Sequence, residues 1–235
     1  MRLASRAMMQ VMSAAGLVCM TGSAFADEAK YPAMAPIVQY RMASAEEESA
    51  LARSAAPPSI STDADILVLG AHGYETVAKG KNGFACLVLR SWTAGFDDPV
   101  FANLKIRGPA CFNAAAVRSV LPHVLERTQW VLSGVSRTEM LNRTKAEIAA
   151  HSYVMPEPGA MCFMMAKGQY LSDNGSHHWH PHVMFYVGNE HNTDWGMDVT
   201  GSPVVTASMA PEPVTIFMVP VRKWSDGTPE TMDMR

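Results

Sequence analysis

Histidines are concentrated in one short segment of this chain. The string His177-His178-Trp179-His180-Pro181-His182 holds four of the eight histidines among 235 residues. Neutral imidazole is a borderline ligand that suits zinc, copper and iron, and alternating histidines recur in sites for these metals. The segment is therefore the strongest candidate for chemistry in the sequence.

The apolar run that follows predicts how these side chains are oriented. Residues 183–187 read as a strand whose odd-numbered members, two valines and a phenylalanine, share the expected core face. The same alternation places His178, His180 and His182 together on the other face, with successive Cα atoms roughly 6.6 Å apart. We expect these three histidines to bind a metal, and the following loop supplies further candidate ligands: Glu190, His191 and Asp194.

A neighbouring strand, predicted over residues 160–167, adds sulfur atoms to the candidate site. Cys162 and Met164 share one face of that strand, and a hairpin with residues 181–187 would bring them near His182. Thioether or thiolate ligands beside imidazole favour copper over magnesium or calcium. The expected cofactor is therefore copper or zinc.

Other interpretations of the segment stay open. Pro181 removes a ladder donor, so the histidines also fit an exposed loop, with Trp179 and Tyr186 flanking the ligand surface of a metal-free extracytoplasmic binding or envelope-interaction module. A further alternative is a metal-dependent hydrolase with Glu190 as general base. Binding of the metal rather than catalysis is the leading hypothesis, because the sequence has no H-E-x-x-H, G-x-S-x-G, P-loop or G-x-G-x-x-G motif and no catalytic residue can be named.

The first 26 residues have the features of a cleavable secretory signal peptide. Arg2 and Arg6 give a positive start, residues 7–20 are mostly apolar, and Ala24-Phe25-Ala26 fits the small-x-small pattern of a cleavage site. The apolar part is shorter than the roughly 20 residues that a membrane-spanning helix needs. We expect a mature chain that begins near Asp27, is periplasmic or extracellular, and keeps no transmembrane anchor after cleavage.

The predicted mature chain is mildly acidic. Loss of Arg2 and Arg6 lowers the Lys and Arg count from 19 to 17 against 22 acidic residues, which gives a net charge of −5. Non-specific nucleic-acid binding and docking on anionic membranes both depend on clustered Lys and Arg, so we expect neither. The expected partner is a metal ion or a small ligand.

Three cysteines remain after the predicted cleavage, each shortly after a glycine, which is typical of a strand that follows a turn. They are Cys86, Cys111 and Cys162. In an oxidising compartment three cysteines predict one disulfide and one buried thiol, and the sequence does not choose among the three pairs. The sequence has no C-x-x-C motif, so neither a thioredoxin-type redox site nor a cysteine zinc knuckle is supported.

Apolar periodicity divides the remaining chain into strands, then helices, then strands. Strands at 66–69, 74–78 and 84–91 are expected to form an antiparallel meander, and four more are expected at 160–167, 181–187, 204–208 and 213–221. Between these groups, Asn113 predicts a helix start, Pro122 a kink or the start of a second helix, and Ser136-x-x-Glu139 a capping box. His123 and His151 lie near helix ends, where we expect capping or solvent exposure rather than metal ligation.

This order of elements predicts an α+β fold: a single domain with a mainly antiparallel sheet packed on one side by two or three helices. Residues 27–62 are expected to form a peripheral N-terminal helix and linker, in which the acidic run 46–48 lies on a solvated helix face. Residues 63–235 then form the α+β domain.

Overall fold

An eight-stranded sheet forms the centre of the computed structural model, which describes residue 31 and residues 33–175, 177–188, 195–197 and 199–231. The strands are β1 (Asp65–Leu69), β2 (Tyr74–Ala78), β3 (Ala85–Leu89), β4 (Gly108–Phe112), β5 (Met161–Met164), β6 (His182–Gly188), β7 (Val205–Ser208) and β8 (Val214–Pro220). Their order in the sheet is β2-β1-β3-β4-β5-β6-β8-β7, and only β1 and β3 are parallel neighbours. The predicted α+β fold with a mainly antiparallel sheet is confirmed.

Helices lie on both faces of this sheet. The described residues form five α-helices: α1 (Ala45–Arg53), α2 (Pro58–Ser61), α3 (Ala114–Ser119), α4 (Leu121–Leu132) and α5 (Arg137–Ala149). Residues of α3 and α4 pack into the core on one face, whereas α1 packs against β1, β3 and β4 on the other. The described residues thus form more helices than the two or three expected, and the helices cover both sides of the sheet instead of one. Within the described part of the chain, no helix is both long and apolar enough to cross a membrane.

The first three strands do not form the predicted meander. β1 and β2 make the expected antiparallel hairpin, but β3 pairs with the far edge of β1 and runs parallel to it. After β2 the chain crosses the start of β1, where the amides of Lys81 and Asn82 donate to the Asp63 carbonyl. A side chain at Gly80 would meet this backbone, because its Cβ would lie 2.1 Å from the Asp63 oxygen. The glycine therefore permits the crossing that delivers β3 to the other edge.

The N-terminal segment, expected to be peripheral, contributes to the core. Tyr40, Ala52 and Ala55 are fully buried, and the alanines pack with Cys86 and Cys111 on the face of the sheet opposite α3 and α4. Small side chains let the helix backbone approach the strands closely. The expected linker also differs, since α2 forms within it.

A buried ion pair attaches the N-terminal segment to the sheet. The Glu48 carboxylate accepts hydrogen bonds from the Arg90 guanidinium at 2.8 Å and from the Leu69 amide at 3.0 Å, and both charged side chains are almost completely buried. Only Glu46 and Glu47 of the acidic run are exposed. The prediction of a fully solvated acidic face is therefore wrong at Glu48.

The sequence signals for helix ends agree with the structure. The Asn113 side chain accepts a hydrogen bond from a backbone amide in the first turn of α3, and Ser136 does the same for α5. Pro122 lies in the first turn of α4, where its missing N–H is tolerated. The Glu139 carboxylate forms an ion pair with Arg143, so the observed capping bond is the one that Ser136 provides.

The three predicted mature cysteines lie on the adjacent strands β3, β4 and β5. Cys86 and Cys111 are directly opposite each other across β3 and β4 and form a disulfide, whereas Cys162 is a buried free thiol. The expectation of one disulfide and one buried thiol is thus confirmed. The pairing follows from strand register, which the sequence did not reveal.

We expect the substitution Glu48→Gln to lower the free energy of unfolding by about 3–5 kcal/mol, because it leaves the Arg90 charge buried without its counterion. Urea unfolding followed by circular dichroism measures the change. The matched control, Glu46→Gln, lies in the same acidic run but is exposed, and it should shift the free energy by no more than about 0.5 kcal/mol. Equal effects of the two substitutions would mean that the N-terminal segment is peripheral after all.

Candidate functional site

The alternation predicted for residues 182–187 is correct, but the face assigned to the core is wrong. His182, Met184 and Tyr186 are buried on the side that α3 and α4 cover, whereas Val183 and Phe185 on the other side are half-buried. Both faces of the sheet are partly covered, so apolar residues occur on both sides of β6. Alternation therefore gives two sets of side chains without saying which one faces the core.

His182 is a core histidine. Its ring is 2% exposed, its Nδ1 lies 2.7 Å from the His180 carbonyl oxygen, and the Trp179 ring approaches it edge-on at 4.6 Å. Burial lowers the pKa of His182 to about 4, against the smaller opposing effect of the bond to His180. The imidazole is consequently neutral at physiological pH.

The other predicted ligands do not meet His182 around one point. His178 and His180 are half-buried, and their rings contact Trp224 and Trp179 at 5.6 and 5.8 Å. Across the described ranges, the three histidines do not form a set whose ligand atoms all lie within 4.8 Å of one another. The remaining candidates, Glu190, His191 and Asp194, lie outside the described residues. Metal binding by this segment therefore stays a prediction.

The predicted hairpin between the sulfur-bearing strand and the histidine strand is present. β5 pairs with β6 so that Met164 is opposite His182 and Cys162 is opposite Met184. Burial raises the pKa of Cys162 to about 12, and its Sγ lies 3.4 Å from the Tyr186 hydroxyl. The group is a thiol at neutral pH, which is a weaker metal ligand than the thiolate.

A cavity of about 130 Å³ lies between α4 and the strands β6 and β8. Its walls are mainly aliphatic and aromatic, and its polar groups include side chains of α4, β6, the loop after α5 and the turn between β7 and β8. The apolar part of the lining includes Phe112, Val120, Val124, Met184, Val214 and Ile216. A mainly apolar lining with a few polar groups is typical of small-molecule sites, although this cavity is smaller than most of them.

A buried ion pair forms one wall of this cavity. The Arg127 guanidinium donates to one carboxylate oxygen, Oε1, of Glu212 and to the carbonyls of Trp92 and Ala94, and it lies over the Phe96 ring at 4.1 Å. The second oxygen of Glu212, Oε2, is buried and has no hydrogen-bond partner among the described residues. Burial raises the pKa of Glu212, and the nearby Arg127 opposes that shift. A residue of the cavity lining thus has a buried hydrogen-bond acceptor that the described chain leaves unused.

Two tyrosines complete the polar lining. Burial raises the pKa values of both Tyr153 and Tyr186, so the phenols are protonated at neutral pH. The Tyr153 ring stacks on the His123 imidazole with centroids 4.1 Å apart. These rings make the wall flat and aromatic next to the outer surface of α4.

His123 also belongs to a second group of side chains, together with Glu126 and Glu147. One ligand atom from each of the three lies within 4.8 Å of the others. The His123 Nε2 atom is 2.8 Å from the Val154 carbonyl oxygen, and burial lowers the pKa of the imidazole. The expectation that His123 would serve as a cap or lie exposed is therefore incomplete.

Sequence reasoning missed most of the residues around the cavity. It placed Tyr186 at a ligand surface, but it gave no role to Arg127 or Glu212, which are 85 residues apart. The one local signal for the second group was the spacing of His123 and Glu126, which puts them on one side of a helix. No feature of the sequence indicated that Glu147 would join them.

Comparison of the sequence with protein-family models and with curated proteins, and of the fold with solved structures, gave no match.

The low pKa of His182 predicts a pH-dependent stability. Because the folded pKa is about 4 and the unfolded value is near 6.5, the unfolded chain takes up the proton first as the pH falls. The contribution of neutral His182 is therefore complete above about pH 6.5 and is lost progressively toward pH 4, by on the order of 3 kcal/mol. Urea unfolding between pH 7.5 and pH 4.5, with a chelator present, measures it.

A pair of histidine variants isolates this effect. His182→Gln retains a hydrogen-bond donor but does not titrate, so its unfolding free energy should fall less between pH 7 and pH 5 than that of the unmodified protein. His72→Gln, at the exposed turn between β1 and β2, should leave the pH dependence unchanged. The same loss of stability in all three proteins would show that His182 is not the responsible group.

Proposed function

We propose that this protein binds a small, mainly apolar molecule that carries a hydrogen-bond donor, in the cavity between α4 and the strands β6 and β8. The proposal is of the same class as the metal-free binding module that the sequence left open, but its cavity is lined by Tyr186 and not by Trp179. The observation that carries the proposal is the buried, unpartnered Oε2 atom of Glu212, a residue that lines a cavity with apolar walls.

The size of the cavity limits the ligand. An engineered apolar cavity of about 150 Å³ is known to hold a single benzene molecule. A volume of about 130 Å³, in a cavity that is open on one side, therefore fits about one small ring or a short branched chain. The flat walls formed by Tyr153 and Phe112 favour an aromatic ligand, because rings pack well in offset or edge-on contact.

The charge of the cavity wall specifies the polar end of the ligand. Arg127 uses its donors on Glu212 and on backbone carbonyls, so it offers little to an incoming acceptor. Glu212 in contrast has one buried oxygen without a partner, and leaving such an acceptor unsatisfied costs about 1–3 kcal/mol. A ligand hydroxyl or amine placed against this oxygen would recover that energy.

Three protonated groups in and beside the cavity are consistent with a binding role. The Tyr153 and Tyr186 phenols and the Cys162 thiol all have raised pKa values, so none is an activated nucleophile or base near neutral pH. The hydrolase alternative depends on Glu190, which lies outside the described residues.

Export remains part of the proposal. The signal-like segment 1–26 carries it, and the disulfide between Cys86 and Cys111 supports it, because disulfides persist mainly in oxidising compartments. We therefore propose that binding takes place in the periplasm or outside the cell.

Two fluorinated probes of similar size test the ligand class. By ¹⁹F NMR, 4-fluorophenol and 4-fluorotoluene should both bind the unmodified protein, since both fill the cavity. Glu212→Gln keeps an acceptor for Arg127 but replaces the free oxygen with an amide donor. It should weaken 4-fluorophenol roughly tenfold or more while it changes 4-fluorotoluene by less than about threefold. Circular dichroism and the melting temperature check that the variant is folded.

Variants that change the cavity volume locate the probes. Val124→Phe fills the cavity from α4 and should abolish binding of both compounds, whereas Val38→Phe, at a position that is 63% exposed, should affect neither. Absence of binding to the unmodified protein at millimolar probe, or full binding to folded Val124→Phe, would refute the proposed cavity.

A further inference from the structure

We infer that His123, Glu126 and Glu147 form a binding site for a divalent transition-metal ion of the zinc class, on the outer side of α4. This site is separate from the histidine segment that the sequence singled out. It goes beyond the proposed function, because it would hold an ion whether or not the apolar cavity binds a ligand.

The ligand atoms are close enough to share one ion. His123 and Glu126 are three residues apart on α4, and Glu147 lies in the last turn of α5. One atom from each side chain lies within 4.8 Å of the others. Zinc bonds to nitrogen and oxygen are about 2.0–2.2 Å long, so ligand atoms around one ion are up to roughly 4 Å apart. Small side-chain rotations close the difference.

The imidazole is held in a form that suits metal binding. The Val154 carbonyl can only accept, so the His123 Nε2 atom, at 2.8 Å, carries the hydrogen and Nδ1 keeps its lone pair. Metal-binding histidines commonly donate their other ring N–H to a backbone carbonyl in this way. The stacked Tyr153 ring, nearly parallel at 8°, fixes the orientation of the imidazole. Contacts from outside the group thus position its nitrogen ligand.

The two carboxylates lack a compensating cation. Neither Glu126 nor Glu147 forms an ion pair with Lys or Arg in the part of the chain that the structure describes. Arg127 follows Glu126 directly, but its guanidinium points inward to Glu212. One carboxylate oxygen of Glu126 lies within 4.8 Å of one of Glu147, so the two like charges repel. A bound cation would remove this repulsion.

The surroundings favour a cation on the Glu147 side. The C-terminal turn of a helix carries partial negative charge, and Glu147 lies in that turn of α5. The pocket around the group is lined by Pro122, His123, Glu126, Glu147, Ser152 and Val154. One imidazole and two carboxylates match zinc and its neighbours better than copper(I), and three protein ligands leave a coordination position for water.

Zinc titration of the mature chain, produced without a histidine tag, tests the inference. Competition with a chromophoric chelator should show one Zn²⁺ bound per chain by this group. The double substitution Glu126→Gln/Glu147→Gln preserves side-chain shape and should lower the zinc affinity at least 100-fold. Glu139→Gln, an exposed glutamate on α5, is the matched control and should bind zinc like the unmodified protein.

A second measurement separates lost ligands from lost structure. Because the double substitution removes like charges, its melting temperature without metal should equal or exceed that of the unmodified protein. Added Zn²⁺ should raise the melting temperature of the unmodified protein and of Glu139→Gln, but not of the double variant.

The histidine segment provides the competing outcome. His178→Ala/His180→Ala should keep the zinc binding that depends on Glu126 and Glu147. Unchanged zinc affinity in the folded double glutamine variant would overturn the inference, as would the absence of zinc binding to the unmodified protein. Probe binding in the apolar cavity, measured on the same variants, should persist, so failure of the metal site and failure of the proposed function are distinguishable.

Discussion

The ion pair between Arg127 and Glu212 connects α4 to the turn between β7 and β8, and both of its side chains are buried. Burying two charges costs several kcal/mol for each ion unless hydrogen bonds replace the lost water. Arg127 meets this condition through Glu212 and two backbone carbonyls, and through its contact with the Phe96 ring. Glu212 is hydrogen-bonded through only one of its two carboxylate oxygens, Oε1. The fixed pair keeps α4 at a set distance from the sheet, and the cavity and its unused acceptor both depend on that distance.

The parts of the fold that the sequence predicted are those with local causes. Asn113 and Ser136 cap helices because a side-chain oxygen reaches an amide three residues away, and Pro122 begins a helix because it lacks the N–H that an interior turn needs. Seven of the eight strands coincide with predicted strand segments. The eighth, Gly108–Phe112, is buried on both faces, so it has no alternating pattern, and the glycine before Cys111 was its only sign.

The errors arise where partners come from distant parts of the chain. The parallel pairing of β1 and β3 depends on a close approach at Gly80, and the burial of Glu48 depends on Arg90, 42 residues away. The inward face of β6 depends on which helices cover each side of the sheet. From residue type alone, Glu48 was expected to be exposed and the valine face of β6 to be buried. Contacts with distant parts of the chain reversed both.

The same difference explains why the histidine segment was conspicuous and the cavity was not. Adjacent histidines form a pattern that can be read along the chain, yet His182, the first residue of β6, is buried in the core. The candidate sites instead combine residues that are unremarkable where they occur.

Carboxylates occur in two environments around α4. Inside, Glu212 is balanced by Arg127 and lacks only one hydrogen bond. Outside, Glu126 and Glu147 have no cationic side chain paired with them in the described chain. We therefore propose a neutral or weakly charged hydrogen-bond donor on an apolar molecule as the ligand of the cavity, and a cation as the ligand of the group on the outer side of α4. His123 lines both the apolar cavity and the pocket around Glu126 and Glu147, so the two candidate sites share one imidazole.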